Sequence, residues 1–337
     1  MIDVRFQADP HVVPACPVCG TSDTGWYAVA TDRLFGIAAG RYGLYRCGRC
    51  GCIFQHPLPD QAAIESFYPR RYWWAADGQS GSAAALGRLE RVYREFVCRD
   101  HVRFLRHCAH GSGRGRSLLD IGCGNGTFLH LARQRGFIPH GMDVSEHAVA
   151  AARSQYDLPV QCGGIGSGLW QAHAFDFVTM FHVLEHVPAP RQALEYAHGL
   201  LKPDGTLILQ VPNTASLQAR AFGPCWYGLD VPRHLINFTP RALGLLLDQA
   251  GFTWQIVRRF SLRDNPASIA SSLAVRLDPI GRRGRSKAGN AIVEGALELI
   301  YLGLFLLALP PAWAESVVGR GGTIWALARR RAVQTLS

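Results

Sequence analysis

Lysine is almost missing from this chain of 337 residues. Lys202 and Lys287 are the only two, so nearly all of the formal charge of +10 is arginine. A basic balance raises nucleic acid or an anionic membrane as a partner. Here the arginines are spread along the chain apart from one cluster, the skew is equally what base composition of a genome produces, and no basic–aromatic run marks a nucleic-acid groove. Nucleic acid is therefore disfavoured. Residues 1–15 also lack an apolar core of the kind that drives secretion, so no signal peptide is expected. Without export, ten cysteines point to a reducing, cytoplasmic setting in which four or five of them hold metal. The longest apolar run near the C-terminus, Leu299 to Leu309, is about half of the ~20 residues that a membrane-crossing helix needs.

What the chain does have is 48% hydrophobic residues, ample for a core, and one stretch on which the rest is organised. Ser117 to Ile121 reads as a buried strand, and Thr127 to Gly136 as a helix. Between them the chain runs through Gly122, Gly124 and Gly126. A strand, a glycine loop and a helix present backbone N–H groups to a nucleotide-like ligand. A dinucleotide loop of G-x-G-x-x-G spacing would place its third glycine at Thr127, so the pattern is instead Asp120-x-Gly122-x-Gly124-x-Gly126.

Two C-x-x-C-G knuckles, Cys16 to Gly20 and Cys47 to Gly51, form a zinc-ribbon signature. Cys16, Cys19, Cys47 and Cys50 complete a tetrahedral thiolate set, which leaves no open position, so the zinc is expected to be structural. Cys52 is a spare. Residues 53–74, rich in proline and aromatics, read as a linker packing on the next domain or lining its pocket, and Gly78 to Ala85 as a mobile loop. Leu86 to Cys108 is helical by period (Leu89, Val92, Phe96, Val97, Val102, Leu105). Further strands are expected at Pro139 to Asp143, Val160 to Cys162, Phe175 to Met180, Thr206 to Val211, Thr253 to Arg259 and Thr323 to Ala328. A helix end and turn is expected at Leu200 to Gly205, and a helix at Ala242 to Gly251. Asp143, about 20 positions beyond the loop, stands where such folds bind ribose hydroxyls, or else caps the helix from Glu146.

Together these motifs resemble the class I S-adenosylmethionine (SAM) methyltransferases. They resemble more narrowly a bacterial group with an N-terminal zinc ribbon that often serves glycan or lipid modification. The matching residues are Leu119 to Gly126, Met142-Asp143, Phe175-Asp176, His182 to Val187, Leu201 to Gly205, Val211 to Asn213 and Pro232 to His234. Two departures are Asp204-Gly205 for the usual Gly-Gly, and Cys162-Gly163-Gly164 where many members carry an adenine-binding acid. The resemblance implies an α/β fold, a doubly wound, Rossmann-like seven-stranded sheet with a zinc ribbon over 1–60, a linker and helix over 61–112 and the SAM domain over 113–337. It implies SAM-dependent methyl transfer to a small-molecule, sugar or glycolipid acceptor. Asp120, Gly122, Gly124, Gly126, Asp143 and Phe181 would contact SAM. His182, Glu185 and His234 would serve catalysis, with His234 suited to general base work near neutral pH. In related quinone O-methyltransferases the stretch at His182 reads Glu-x-x-Glu-His and is linked to a divalent metal; here the first position is histidine.

Residues 264–320 fall outside the resemblance and read as a helical insertion. Arg276, Arg282, Arg283, Arg285 and Lys287 precede an apolar helix over Ala291 to Leu309, ended by Pro310-Pro311. A basic cluster before a short apolar helix suits peripheral contact of 276–309 with an anionic membrane, or else the helix is packed on the sheet or at a dimer interface. Two alternatives stand beside the favoured function: an RNA methyltransferase that uses the ribbon for recognition, and a non-catalytic ribbon and SAM-fold binding protein.

Overall fold

The computed structural model describes residues 13–38, 40–68, 82–285 and 291–331. The expected aromatic cluster Tyr72 to Trp74, residues 78–81 of the expected loop, and Lys287 lie outside the described residues, as do the side chains of Leu89, Val92 and Arg283, whereas Ser82 to Ala85, expected in that loop, are helical instead.

Three antiparallel strands, β1 (Thr24–Ala30), β2 (Tyr42–Cys47) and β3 (Ile53–His56), carry the cysteine knuckles. After a short α1 (Gln61–Ser66) comes the long α2 (Ser82–Cys108). The main domain then alternates strand and helix: β4 (Ser117–Ile121), α3 (Thr127–Arg133), β5 (Ile138–Asp143), α4 (Glu146–Tyr156), β6 (Val160–Cys162) and β7 (Phe175–Phe181). It continues through α5 (Pro190–Leu200), β8 (Leu201–Pro212), α6 (Leu217–Phe222), β9 (Ile236–Asn237), α7 (Pro240–Gln249) and β10 (Phe252–Arg258). The C-terminal part is α8 (Asp264–Leu273), α9 (Pro279–Arg285), α10 (Ala291–Val317) and β11 (Thr323–Arg330).

The large sheet has seven strands in the order β10-β11-β8-β7-β4-β5-β6. The middle strands run parallel and β11 is antiparallel to both neighbours. Parallel strands covered on both faces need apolar residues at successive positions, and Leu118, Leu119 and Ile121 of β4 are all buried. The order reverses beside β4, so the carboxyl ends of β4 and β7 frame the crevice where such sheets bind ligands. α7 illustrates the local logic. Pro240 opens it, the Thr239 hydroxyl accepts a hydrogen bond from the Ala242 N–H, and Ala242, Leu243, Leu246 and Leu247 face the sheet.

Local readings needed correction at three further places. α5 ends at Leu200 as expected, but the turn expected from there to Gly205 lies instead at the start of β8. Leu201 pairs with Phe175 and Thr206 with Phe177, so 202–205 form an irregularity within a strand. α3 stops at Arg133, short of Gly136, with Gln134 as its C-cap. Pro310 and Pro311 do not end α10, which continues to Val317. Both prolines are exposed, so the helical hydrogen bonds they forgo lie on a face turned away from the sheet.

The small sheet is joined to the large domain by a fourth strand. β9 pairs with β3, matching Ile53 to Asn237 and Phe54 to Ile236. The Gln55 N–H donates to the Leu235 carbonyl, and the Thr239 hydroxyl donates to the Cys50 carbonyl. One hydrophobic core runs from Cys16, Tyr45 and Phe54 through Leu235 and Phe238 to Leu119 and Val178. Arg233, 1% exposed, locks the seam. Its guanidinium donates to Asp230 at 2.6 and 3.0 Å, to Asp32 at 2.9 Å and to the Phe67 carbonyl at 3.2 Å, and it lies over the Phe35 ring.

Candidate active site and cysteine centre

The loop after β4 is left-handed at Gly122, Gly124 and Gly126. Gly122 also has no room for a side chain, because a Cβ there would stand 2.4 Å from Val183 Cγ2. At Gly126 a Cβ would stand 2.6 Å from Leu158 Cδ1. Glycine at these two positions lets the loop press against the segment after β7 on one side and against α4 on the other.

Asp143 braces this loop. Its Oδ2 accepts the Gly124 N–H at 2.9 Å and its Oδ1 accepts the Ser145 N–H at 2.9 Å. The cap of α4 is not Asp143 but Ser145, whose hydroxyl accepts the Ala148 N–H. Burial raises the Asp143 pKa, against the pull of those backbone donors. Asp120, 4% exposed, accepts a 2.6 Å hydrogen bond from the Thr179 hydroxyl. Burial and the nearby charge of Asp143 push its pKa up to about 7. Phe181, at the end of β7, packs between Phe128, His101 and Trp325.

Beyond Phe181 the backbone turns sharply at His182, a non-glycine residue with φ +55°. The turn aims its ring between two carboxylates. Nδ1 lies 3.2 Å from Glu185 Oε1 and Nε2 lies 3.2 Å from Asp264 Oδ2. Burial alone would lower the His182 pKa, but Asp264 and Glu185 outweigh it and raise it to about 9. Both nitrogens therefore donate, and the ring is an imidazolium at neutral pH. Asp264 also accepts from Gln210 Nε2 at 2.7 Å and from the Ser261 hydroxyl at 2.6 Å. Its pKa is held far below the carboxylate range, the charges of His182 and Arg263 overcoming burial. The chain of contacts reaches His101, whose Nε2 is 2.6 Å from Gln210 Oε1.

Glu185 is fully buried, and among the described residues its Oε2 has no hydrogen-bond partner. Burial would raise its pKa, but the hydrogen bond from His182 outweighs it and the net shift is downward. On its other side stand His234 and His186, with ring centroids 4.6 Å apart. His234 Nδ1 donates to the Gly228 carbonyl at 2.8 Å, which leaves the Nε2 lone pair 4.0 Å from Glu185 Oε1. His186 Nδ1 faces the Arg233 carbonyl at 3.0 Å and the Tyr68 hydroxyl at 3.1 Å, and burial holds its pKa down at about 4. Ligand-capable atoms of Glu185, His186 and His234 lie within 4.8 Å of one another. His182 is not part of that group, because it is turned toward Asp264.

The structure thus brings the three expected catalytic residues, His182, Glu185 and His234, into one cluster. It adds Asp264, Gln210 and Ser261 to that cluster, and Thr179 beside Asp120, none of which a local pattern singles out. Asp264 lies on α8, inside the stretch set aside as an insertion.

The charge state of His182 has a measurable consequence. A histidine whose folded pKa is raised to about 9 contributes stability that is fully present below the unfolded value of about 6.5 and is lost as pH rises through about 9. The denaturant midpoint of the wild type should fall over that window more steeply than that of His182→Gln. Equal slopes would show that the ring is not held as a cation.

In the ribbon, the sulfurs of Cys16, Cys19, Cys47 and Cys50 lie within 4.8 Å of one another, with Cys16 to Cys50 at 3.7 Å and Cys19 to Cys47 at 3.6 Å. Sulfurs around a tetrahedral zinc with Zn–S bonds of ~2.3 Å stand ~3.8 Å apart, so the donor set fits the metal. Cys52 is more than a spare. Its buried sulfur lies 3.5 Å from Cys16 and 3.4 Å from Cys50, as a fifth thiol against the cluster.

Residues 89–255 match the family model described as a methyltransferase domain. The chain carries a class I SAM-dependent methyltransferase domain. This methyltransferase domain is similar to ubiquinone biosynthesis O-methyltransferases. One from Coxiella burnetii is 29% identical over 133 residues, covering 38% of this chain and 54% of that one. One from Neisseria meningitidis serogroup C is 32% identical over 150 residues, covering 42% and 57%. The chain spans about half the length of these curated relatives. Among solved structures, a SAM-dependent methyltransferase from Archaeoglobus fulgidus aligns at 18% identity with a TM-score of 0.43, covering 71% of this chain and 98% of that one.

Proposed function

We propose that the chain transfers a methyl group from SAM to a small-molecule, sugar or glycolipid acceptor, and that a structural zinc fills the four-cysteine cluster. The observation that carries this reading is the contact between the glycine loop and the histidine–carboxylate cluster, where Gly122 has no room for a Cβ beside Val183. A ligand held in the loop is then next to the cluster that follows β7.

SAM, when bound, supplies a methyl group on a sulfonium. The loop of Gly122, Gly124 and Gly126, together with Asp120 and Phe181, would hold SAM. Asp143 accepts one backbone N–H on each oxygen, and the remaining lone pairs would be available to two ribose hydroxyls. Positioning a nucleophile in line with the methyl carbon supplies most of the acceleration.

His182 cannot abstract a proton, since it already carries one. It fixes Glu185 and Asp264 and keeps a positive charge in the cluster. His234 is the general base in this reading, because its Nδ1–H is committed to Gly228 and its Nε2 lone pair is open. His234→Asn should lower kcat by about two to four powers of ten while SAM affinity stays within a few-fold, as read by S-adenosylhomocysteine release with a methylated acceptor. Unchanged kcat would remove His234 from the chemistry. The similarity to ubiquinone-pathway enzymes supports oxygen as the accepting atom, and the zinc reading rests on the sulfur geometry.

A further inference from the structure

α10 is long, apolar and mostly uncovered. Over Val293–Val317 the mean hydropathy is 1.7, yet only 6% of its most apolar stretch is buried. Leu299 and Leu307 are 71% and 76% exposed, and Ile300, Leu302, Leu306 and Trp313 are exposed beside them. With 3.6 residues per turn these positions share one face of the helix. The opposite face, with Ala308 and Ala312, is buried, and α10 packs against α8. From Leu299 to Ala314 there is no charged residue. A soluble surface does not ordinarily keep so large an apolar face in water.

The two ends of this face are basic. A cavity of about 380 Å³ at the start of α10 is lined by Arg33, Arg276, Arg282 and Arg285, with Gly36 and Glu294. Arg282 is committed to Glu294 at 2.7 Å and to Glu298 at 3.6 Å, whereas the side chains of Arg33 and Arg276 are exposed, Arg33 giving one N–H to the Cys225 carbonyl and keeping the rest of its fork toward solvent. Beyond the other end stands the exposed Arg320.

Topology excludes a crossing. Glu315, near the end of α10, accepts hydrogen bonds from Gln218 and Gly322. A few residues later the chain enters β11, which is paired on both sides, to β10 and to β8. A helix that spanned a bilayer would leave β11 on the wrong side of the lipid from its partners. The apolar face must therefore be met side-on.

We propose that α10 is a monotopic anchor that lies in the surface of an anionic bilayer. Its Leu299–Trp313 face enters the acyl boundary, and the cavity around Arg33 and Arg276 receives a lipid phosphate. Arginine's planar fork matches phosphate oxygens, and a tryptophan beside leucines is at home at the headgroup level. α8 carries the arrangement inward, since its first residue, Asp264, holds His182 while its body rests on α10. The anchor thus stands one helix away from the candidate active site, where a lipid-borne acceptor would arrive. The proposal does not depend on methyl transfer.

The test is vesicle flotation of the intact chain, with phosphatidylcholine vesicles and with vesicles that also contain phosphatidylglycerol. The wild type should float with the anionic vesicles and lose much of that partition at high salt. Leu299→Glu with Leu307→Glu should lower partition by at least about tenfold, because two charges are forced into the acyl boundary. Arg33→Glu with Arg276→Glu should lower only the part that requires phosphatidylglycerol. Thermal melting and SAM titration of each variant check that the domain is intact. A wild type that stays at the bottom with anionic vesicles overturns the proposal, as do variants that float like it. So does a wild-type dimer, seen by light scattering, that the double glutamate variant converts to a non-floating monomer, for then a second copy covers the face.

Discussion

Arg233→Ala should lower the stability of the chain by about 3–5 kcal/mol, read as a fall in the denaturant midpoint at unchanged slope. The guanidinium is fully enclosed between Asp32 of the ribbon segment and Asp230 of the large domain. Burial raises the pKa of both carboxylates, but Arg233 outweighs it and holds them ionised. Removing the cation leaves two carboxylates in a low-dielectric seam, where an uncompensated charge is worth several times an exposed pair. Asp32 keeps the backbone N–H groups of Phe35, Ile37 and Ala38, so Asp32→Asn should cost less than loss of the arginine. A loss below about 1 kcal/mol for Arg233→Ala would mean that the seam is open to water. The same change loosens the loop that carries His234 and the carbonyl on which His186 rests, so stability and site geometry should fail together.

Asp143→Ala carries the second large expectation. It should lower SAM affinity by about two to four powers of ten, since two hydrogen bonds to a charged acceptor contribute ~1.5–3 kcal/mol each. The effect has two parts. The carboxylate that would accept the ribose hydroxyls is gone, and the Gly124 N–H, now unpaired, is free to leave the position in which the loop is held. Asp143→Asn retains one acceptor and should fall between. Asp143→Ala with undiminished affinity would show that this residue serves only as a brace.

The parts of the site that could be read from sequence are those that are local. The strand, the alternating glycines and the acid about 20 residues on are each defined within a few positions, and they stand as expected in β4, its loop and Asp143. His182, Glu185 and His234 could be chosen because they flank the ends of β7 and β8. Their roles could not, because the charge of His182 is set by Asp264, 82 positions away, through a pairing that only α8 creates. Arg233 stands inside the motif Pro232 to His234, but its role as a seam cation could not be read there, because Asp32 is 201 positions away and reaches it only in the folded chain. The proline pair in α10 was misleading for a different reason. Proline inside a helix loses a hydrogen bond and crowds the carbonyl four residues back wherever the helix lies, and here both prolines stand on an uncovered face, where the carbonyls they leave can turn to water. The four cysteines of the two knuckles converge as their spacing leads one to expect, and Cys52 adds a sulfur against Cys16 and Cys50 that spacing did not assign.

The central claim is that the Gly122–Gly126 loop and Asp143 form a SAM site on this domain. Calorimetric titration of the purified chain with SAM tests it most directly, with Gly124→Arg, which fills the cradle, as the paired control. The account predicts one saturable site in the wild type and none in a Gly124→Arg protein that melts as a folded chain. A folded wild type that takes up no SAM, or a Gly124→Arg protein that binds it equally well, would contradict the account.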